Sequence, residues 1–183
     1  MTKENNRFEE LVKPFLVLVG ICLVVGLLLG VTNRLTAPVI RRNQLAQAEA
    51  TRKTVLDGAS GFTQIAFDEA TLRQLGIDSA YRENTGLGYV VTVSRKGYRS
   101  NVAVTIGLSP EGKVLKLSAD VSAETSGIGS KAGDAAYVSN YVGASGSAEN
   151  VDVISGATYS STAVKECVNA ALAAFPTVKE VSG

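Results

Sequence analysis

Residues 89–121 read YVVTVSRKGYRSNVAVTIGLSPEGKVLKLSADV, in which apolar side chains alternate with small or polar ones. Turn signals interrupt this alternation at Arg95-Lys96-Gly97 and again at Ser109-Pro110-Glu111-Gly112. A period of two is typical of strands that bury one face, and short turns join neighbouring strands in antiparallel order. The sequence therefore predicts an antiparallel meander with one buried face.

Helical patterns flank these strands. A short one covers Asp134 to Val142, a weak one covers Asp68 to Gln74, and the strongest covers Ser161 to Phe175. The strongest has an unbroken apolar stripe at helical spacing, formed by Ala163, Val164, Cys167, Val168, Ala171, Leu172 and Phe175. We expect Pro176 to end this helix and the stripe to pack on the apolar face of the sheet, which gives an α+β fold.

The N-terminal part of the chain contains an apolar run without charge, FLVLVGICLVVGLLLGV at 15–31. A helix of this length rises about 25 Å, close to the thickness of a bilayer core. Because the run is longer than the apolar part of a cleaved signal peptide, we expect a retained anchor. The predicted organisation is an N-terminal segment at 1–14, a transmembrane helix at 15–32, a helical stalk at 33–57 and a domain at 58–183.

Composition excludes several classes of chemistry. The net charge of +1 gives no electrostatic basis for binding nucleic acid. The chain has no histidine and two cysteines, Cys22 and Cys167, so it cannot build a histidine base or a metal centre of His and Cys ligands. We therefore predict no metal site and no catalytic residue within the chain, with any redox chemistry supplied by an organic cofactor or by partners.

A hydroxyl-rich segment precedes the strongest helix: residues 152–162 read DVISGATYSST. We expect a strand-like stub at 151–154 before it, and a helix that begins about five residues after Ser155-Gly156. Helix N-termini expose unpaired N–H groups that bind phosphate, and Gly156 lets the backbone approach closely. The hydroxyls able to contact or esterify a phosphate are those of Ser155, Thr158, Ser160, Ser161 and Thr162. Spacing does not choose among them, and an ordinary helix-capping cluster is the alternative.

Two motifs resemble the FMN-binding domain family. Ser155-Gly156-Ala157-Thr158, preceded by Asp152, is similar to the family's flavinylation motif, and 124–129 (ETSGIG) is similar to its Glu-Thr-Pro-Gly-Leu-Gly segment. Ser126 and Ile128 replace Pro and Leu there. The resemblance implies FMN joined covalently by a phosphoester bond to Thr158, and Asp152 as part of the signal for a separate flavin transferase. It also implies a set of cofactor-binding residues: Ser155, Gly156, Ala157, Glu124, Thr125, Gly127 and Gly129.

Tyrosines are the candidates for further contact with the flavin ring. Tyr137 and Tyr141 follow the motif at 124–129 in the sequence, and Tyr159 directly follows the motif at 155–158. An ordinary core or loop role remains the alternative for each of them.

The layout of the whole chain resembles the G-subunit family of Rnf ion-translocating electron-transport complexes. The C-subunit family of sodium-pumping NADH:quinone reductases is the second resemblance. Both imply an electron relay in a bacterial or archaeal cytoplasmic membrane, with 1–14 cytoplasmic, one span, and an extracytoplasmic (periplasmic) FMN-binding domain at 58–183. The implied partners are the other membrane and peripheral subunits of an Rnf-type complex of the ferredoxin:NAD type, a flavin transferase and membrane lipid, but no nucleic acid.

The sequence leaves one alternative open for the orientation in the membrane and one for the function. Three basic residues precede the apolar run and five follow it before Val55, a count that weakly favours a cytoplasmic domain, although this rule works poorly for one span before a long domain. A membrane-anchored sensor or assembly module without redox chemistry is the alternative function, with Thr158 as a helix cap only.

Overall fold

The computed structural model describes residues 3–182, and the chain divides between Ala48 and Glu49 into two compact units. Met1 and Thr2, part of the predicted N-terminal segment, and Gly183, part of the predicted domain, lie outside the described residues. Helix α1 spans Lys3–Val55 and contributes the first unit and the start of the second. The apolar side chains of 15–31 are exposed, and the most apolar window of α1 has a mean hydropathy of 2.9, which makes this helix a candidate membrane span.

The second unit contains a five-stranded antiparallel sheet in the order of the chain. Its strands are β1 (Phe62–Gln64), β2 (Ser79–Glu83), β3 (Tyr89–Lys96), β4 (Asn101–Leu108) and β5 (Val114–Asp120). The predicted meander is confirmed as β3, β4 and β5. Strands β1 and β2 extend it at one edge, in a region where the sequence showed no strand pattern.

The helical segments other than α1 and the last helix are short. Helix α2 (Glu69–Leu75) is confirmed where the weak pattern predicted it, with Asp68 accepting the N–H of Thr71 as its cap. The predicted helix over Asp134–Val142 consists only of α3 (Ala135–Val138) and a 3₁₀ turn, Ser139–Tyr141. Another 3₁₀ turn, Gly129–Gly133, precedes α3.

Helix α4 spans Thr158–Ser182, so three expectations for this helix and the segment before it were wrong. It begins three residues earlier than predicted, directly after Ala157, and no strand forms at 151–154. It also continues through Pro176, because Val178 is fully buried and packing holds the turn that follows the proline.

The two faces of the sheet carry different helices, as strand alternation dictates. Val91 and Val93 pair with Ile106 and Val104, and this face packs against the buried stripe of α4. Val90 points the other way and forms a small cluster with Val55 and Leu56 at the end of α1. Gly107 is required beneath that end, since a Cβ there would lie 2.2 Å from the carbonyl oxygen of Val55. The α+β prediction is confirmed.

Candidate functional site

A cleft of about 400 Å³ opens at the N-terminus of α4. It brings together the two motifs of the sequence, 124–129 and 155–158, although more than twenty residues separate them in the chain. Of the predicted site residues, those that line the cleft are Glu124, Thr125, Gly129, Gly156, Ala157 and Thr158. Ser155, Gly127 and Asp152 are exposed nearby in sequence but do not line it.

The start of α4 presents unpaired backbone donors. Ser161 makes the first helical bond, donating its N–H to the carbonyl oxygen of Ala157 at 3.0 Å. The N–H groups of Thr158, Tyr159 and Ser160 have no acceptor among residues 3–182. Three such donors at the positive end of a 25-residue helix form a favourable environment for a phosphate group.

Hydrogen bonding and position relative to the cleft distinguish the five candidate hydroxyls from one another. Ser160 is buried and donates to the Glu124 carboxylate at 2.6 Å. Ser161 is buried too; it donates to the Ala157 carbonyl oxygen at 2.9 Å and accepts the N–H of Ile154 at 3.0 Å. Thr162 and Ser155 lie outside the cleft. Thr158 is exposed, lines the cleft, and has a hydroxyl with no hydrogen bond to any other described residue.

Glu124 connects the two walls of the cleft. Its carboxylate accepts the backbone N–H groups of Tyr98, Arg99 and Ser100 at 3.0–3.2 Å, in addition to the Ser160 hydroxyl. Burial by itself would raise the pKa of Glu124, but the Ser160 hydroxyl and the three N–H groups outweigh burial and lower this pKa. Both carboxylate oxygens are therefore occupied by protein donors, and the residue ties the β3–β4 turn to the start of α4.

Glycines make this connection possible. A Cβ at Gly129 would lie 2.8 Å from the Ser160 hydroxyl oxygen, and a Cβ at Gly97 would lie 2.8 Å from a Glu124 carboxylate oxygen. Neither position has room for a side chain. Gly156 has a φ of +83°, a left-handed backbone that glycine adopts without strain just before the helix starts.

The tyrosines divide into two pairs. Tyr137 and Tyr141 are buried in the core with their hydroxyl oxygens 2.9 Å apart, and neither lines the cleft. Tyr159 lines the cleft and is exposed, and it faces Tyr98 of the β3–β4 turn. Sequence reasoning missed Tyr98, because Arg95-Lys96-Gly97 was interpreted as a turn signal and the next residue was not considered; an aromatic residue at the tip of a hairpin was the available signal.

Acidic and thiol side chains form no metal site in the part of the chain that the structure describes, where no group of three such ligands occurs. What the cleft offers is a free hydroxyl, unpaired N–H groups and aromatic walls. Its volume lies in the usual range of small-molecule sites, about 300–1,000 Å³. This set of groups is suited to a phosphate-bearing aromatic ligand.

Comparison with known proteins gives a match at this site. Residues 97–173 match the family whose model is described as the FMN-binding domain, and the matched segment contains all the residues that line the cleft. The chain is also 23% identical, over 180 residues, to the G subunit of the proton-translocating ferredoxin:NAD(+) oxidoreductase complex of Clostridium ljungdahlii. That similarity covers 93% of this chain and 92% of the relative, so it extends well into α1.

Proposed function

Because residues 97–173 form a domain of the FMN-binding domain family, we propose that the protein is an electron-relay component of a membrane ion-translocating oxidoreductase complex of the ferredoxin:NAD type. We propose further that it carries FMN on Thr158 through a phosphoester bond. One observation carries this assignment: the Thr158 hydroxyl is exposed in the cleft and has no hydrogen-bond partner among the described residues.

The residues of the cleft fit FMN. The Thr158 oxygen would bear the phosphate, and the N–H groups of Tyr159 and Ser160 would donate to its oxygens, where the helix dipole also favours negative charge. Bound FMN would supply one- and two-electron redox chemistry. The chain's own contribution is to hold and orient the cofactor, for which no general acid or base is required.

Attachment needs a second protein. Thr158 would gain an oxygen–phosphorus bond from the FMN half of FAD while AMP leaves and the hydroxyl proton is released, the reaction of a flavin transferase. Asp152 and Ser155 are exposed just before the helix, where such an enzyme could reach them. We propose Asp152 as part of the recognised signal, and Gly127 and Ser155 as residues that shape the loops around the bound cofactor.

The setting is a membrane complex. The candidate span at the N-terminus and the similarity to a G subunit support a location in the cytoplasmic membrane, in contact with lipid and with the other components of an Rnf-type complex. We propose that the domain lies on the extracytoplasmic side and 1–14 on the cytoplasmic side. The relative belongs to a ferredoxin:NAD(+) oxidoreductase complex, which favours the Rnf type over the sodium-pumping NADH:quinone reductase type.

The test is covalent labelling. The full chain is co-expressed with a flavin transferase, denatured, and measured by in-gel flavin fluorescence and intact mass. We expect one added FMN in the wild type, none in Thr158→Val, and partial labelling in Thr158→Ser because a hydroxyl remains. Thr162→Val, which removes a candidate hydroxyl outside the cleft, is the matched control and should label fully.

Two outcomes contradict the proposal. Full labelling of Thr158→Val moves the attachment to another hydroxyl. An unlabelled wild type, obtained with a transferase that modifies another substrate, removes the relay and leaves the non-redox sensor or assembly module. Thr158 makes no capping hydrogen bond among the described residues, which argues against the capping role that the second function would leave to this residue.

A further inference from the structure

We propose that Tyr98 and Tyr159 form an aromatic clamp that holds the isoalloxazine ring; this inference rests on the proposed function of the cleft. The two residues belong to different elements, the β3–β4 turn and the first turn of α4. Both line the cleft, and their rings lie 6.1 Å apart between centroids at an interplanar angle of 44°. They are the two aromatic side chains among the described residues that line the cleft together with Thr158.

Their exposure distinguishes them from the other tyrosine pair. Tyr98 is 67% exposed and Tyr159 is 70% exposed, whereas Tyr137 and Tyr141 are buried and bonded to each other through their hydroxyls. Exposed aromatic faces grouped around a cleft mark a surface that gains free energy when a flat apolar ligand covers it. In the structure the faces of Tyr98 and Tyr159 are still available to such a ligand.

The spacing of the two rings suits a flat ligand. A planar ring held between two others needs about 7 Å between the outer rings, twice the roughly 3.5 Å contact distance of carbon atoms. The observed separation of 6.1 Å is about 1 Å smaller than this value, and the rings are tilted by 44°, so they must move apart and become more nearly parallel to hold the ligand. Because both side chains are mostly exposed, they can make this change by rotation about their side-chain bonds.

The backbone beneath the clamp is fixed. The N–H of Tyr98 donates to Glu124 at 3.2 Å, and Ser160, the residue after Tyr159, donates to the same carboxylate oxygen at 2.6 Å. One buried carboxylate thus sets the distance between the two supports, while the rings themselves can turn. Such an arrangement preorganises a site and lowers the conformational entropy that the protein loses on binding.

The occupied state has a defined optical signature. A flavin ring held in one orientation by protein side chains gains circular dichroism in the visible range. A ring covered by protein is also protected from iodide, a soluble quencher of flavin fluorescence. Both signals are measured on the flavinylated full chain in detergent. The circular dichroism is divided by the flavin content found after denaturation, and the quenching constant comes from a ratio of fluorescence intensities, so that the amount of attached cofactor does not enter either comparison.

The variants are Tyr98→Leu and Tyr159→Leu, with Tyr98→Phe and Tyr159→Phe as ring-retaining partners. We expect each leucine variant to lose most of the visible circular dichroism and to raise the iodide quenching constant by about 2- to 10-fold, as for loss of one stacked aromatic partner. The phenylalanine variants should stay close to wild type. Leu115→Ala, at an exposed apolar position of β5 outside the cleft, is the matched surface control and should change neither signal.

The outcomes separate this inference from the proposed function. Absence of flavin in the wild type defeats the proposed function itself. Normal flavin content with unchanged circular dichroism and iodide quenching in both leucine variants overturns the clamp and leaves the attachment at Thr158 intact. Loss of flavin from both leucine variants also overturns it, because the tyrosines would then serve recognition by the transferase.

Discussion

Two buried carboxylates, Glu83 and Glu124, connect loops that are distant in the sequence. Glu83, at the end of β2, accepts the N–H and the hydroxyl of Ser60 at 3.1 Å, and it also accepts backbone N–H groups of Thr85 and Leu87. Burial opposes the charged form, but these donors and the Thr85 hydroxyl outweigh burial and lower the pKa of Glu83 to about 2. Both carboxylates therefore remain charged at neutral pH.

Acid should weaken the fold through these two groups. A carboxyl with a folded-state pKa of about 2, below its ordinary value of 4.5, stabilises the folded state above pH 4.5 and loses that contribution as the pH falls towards 2. The lowered pKa of Glu124 acts in the same direction. We expect the urea midpoint of the full chain in detergent to fall as the pH is lowered from about 4.5 to about 2.

The variant Glu83→Gln measures how much Glu83 contributes to the loss of stability in acid. This variant should be less stable than wild type at pH 6 and should show a flatter fall in acid, because it has no charge to lose at this position. Glu166→Gln, at an exposed position of α4, is the comparison at a surface site. An unchanged acid response in Glu83→Gln would contradict the role of Glu83.

At the scale of the element, α4 links the core to the cleft. Its stripe, with Val164, Val168 and Ala171 fully buried, packs on the sheet, and its first turn carries Thr158 and Tyr159 into the cleft. The helix therefore fixes the position of the proposed attachment residue by the same contacts that stabilise the core. Near its other end it contains Pro176, which removes one backbone donor from the helix interior.

Replacing that proline should stabilise the protein. Proline costs about 3 kcal/mol in a helix interior, and the freedom that the unfolded chain regains offsets up to about 1 kcal/mol, so Pro176→Ala should add about 2 kcal/mol to the free energy of unfolding. Thr177→Ala, at the next position, serves as control and should have a much smaller effect. Urea titration of both variants measures this; a loss of stability in Pro176→Ala would mean that the proline supports the last turn.

The elements differ in how far the sequence predicts them. Strands β3 to β5 could be predicted because alternation is a local property of each strand. Strand β1 has three residues, which is too short for a period to be recognised, and its pairing with β2 is a tertiary contact. The path of α4 through Pro176 depends on the burial of Val178, which the local sequence does not encode.

The site too could be predicted only in part from the local sequence, because the rest depends on tertiary contacts. The motifs at 124–129 and 155–158 predicted its two sides by resemblance, yet spacing alone left five hydroxyls equivalent. They become distinct in the fold: Glu124 accepts the hydroxyl of Ser160, the turn before α4 engages that of Ser161, and Ser155 and Thr162 lie outside the cleft. Tyr98 joins the cleft through the pairing of β3 with β4 and the donors of its turn to Glu124.

At the scale of the whole molecule, the two cysteines offer a way to determine the side of the membrane on which the domain lies. Cys22 lies within the candidate span, and Cys167 is fully buried in α4. Burial raises the pKa of the Cys167 thiol to about 12, so this thiol is almost entirely protonated at neutral pH. Both native residues should therefore react slowly with a membrane-impermeant maleimide, which leaves a low background for an introduced cysteine.

Two single substitutions then report the orientation in spheroplasts of the host. Asn150→Cys introduces a thiol at an exposed position of the domain, and Thr2→Cys introduces one before the span in the sequence. If the domain is extracytoplasmic, Asn150→Cys reacts with the maleimide in intact spheroplasts, whereas Thr2→Cys reacts only after permeabilisation. The reverse pattern would place the domain in the cytoplasm, as the count of lysine and arginine around the span suggests. A transferase and redox partners confined to the outer side could then not reach Thr158, so the same experiment tests whether the proposed relay can be assembled.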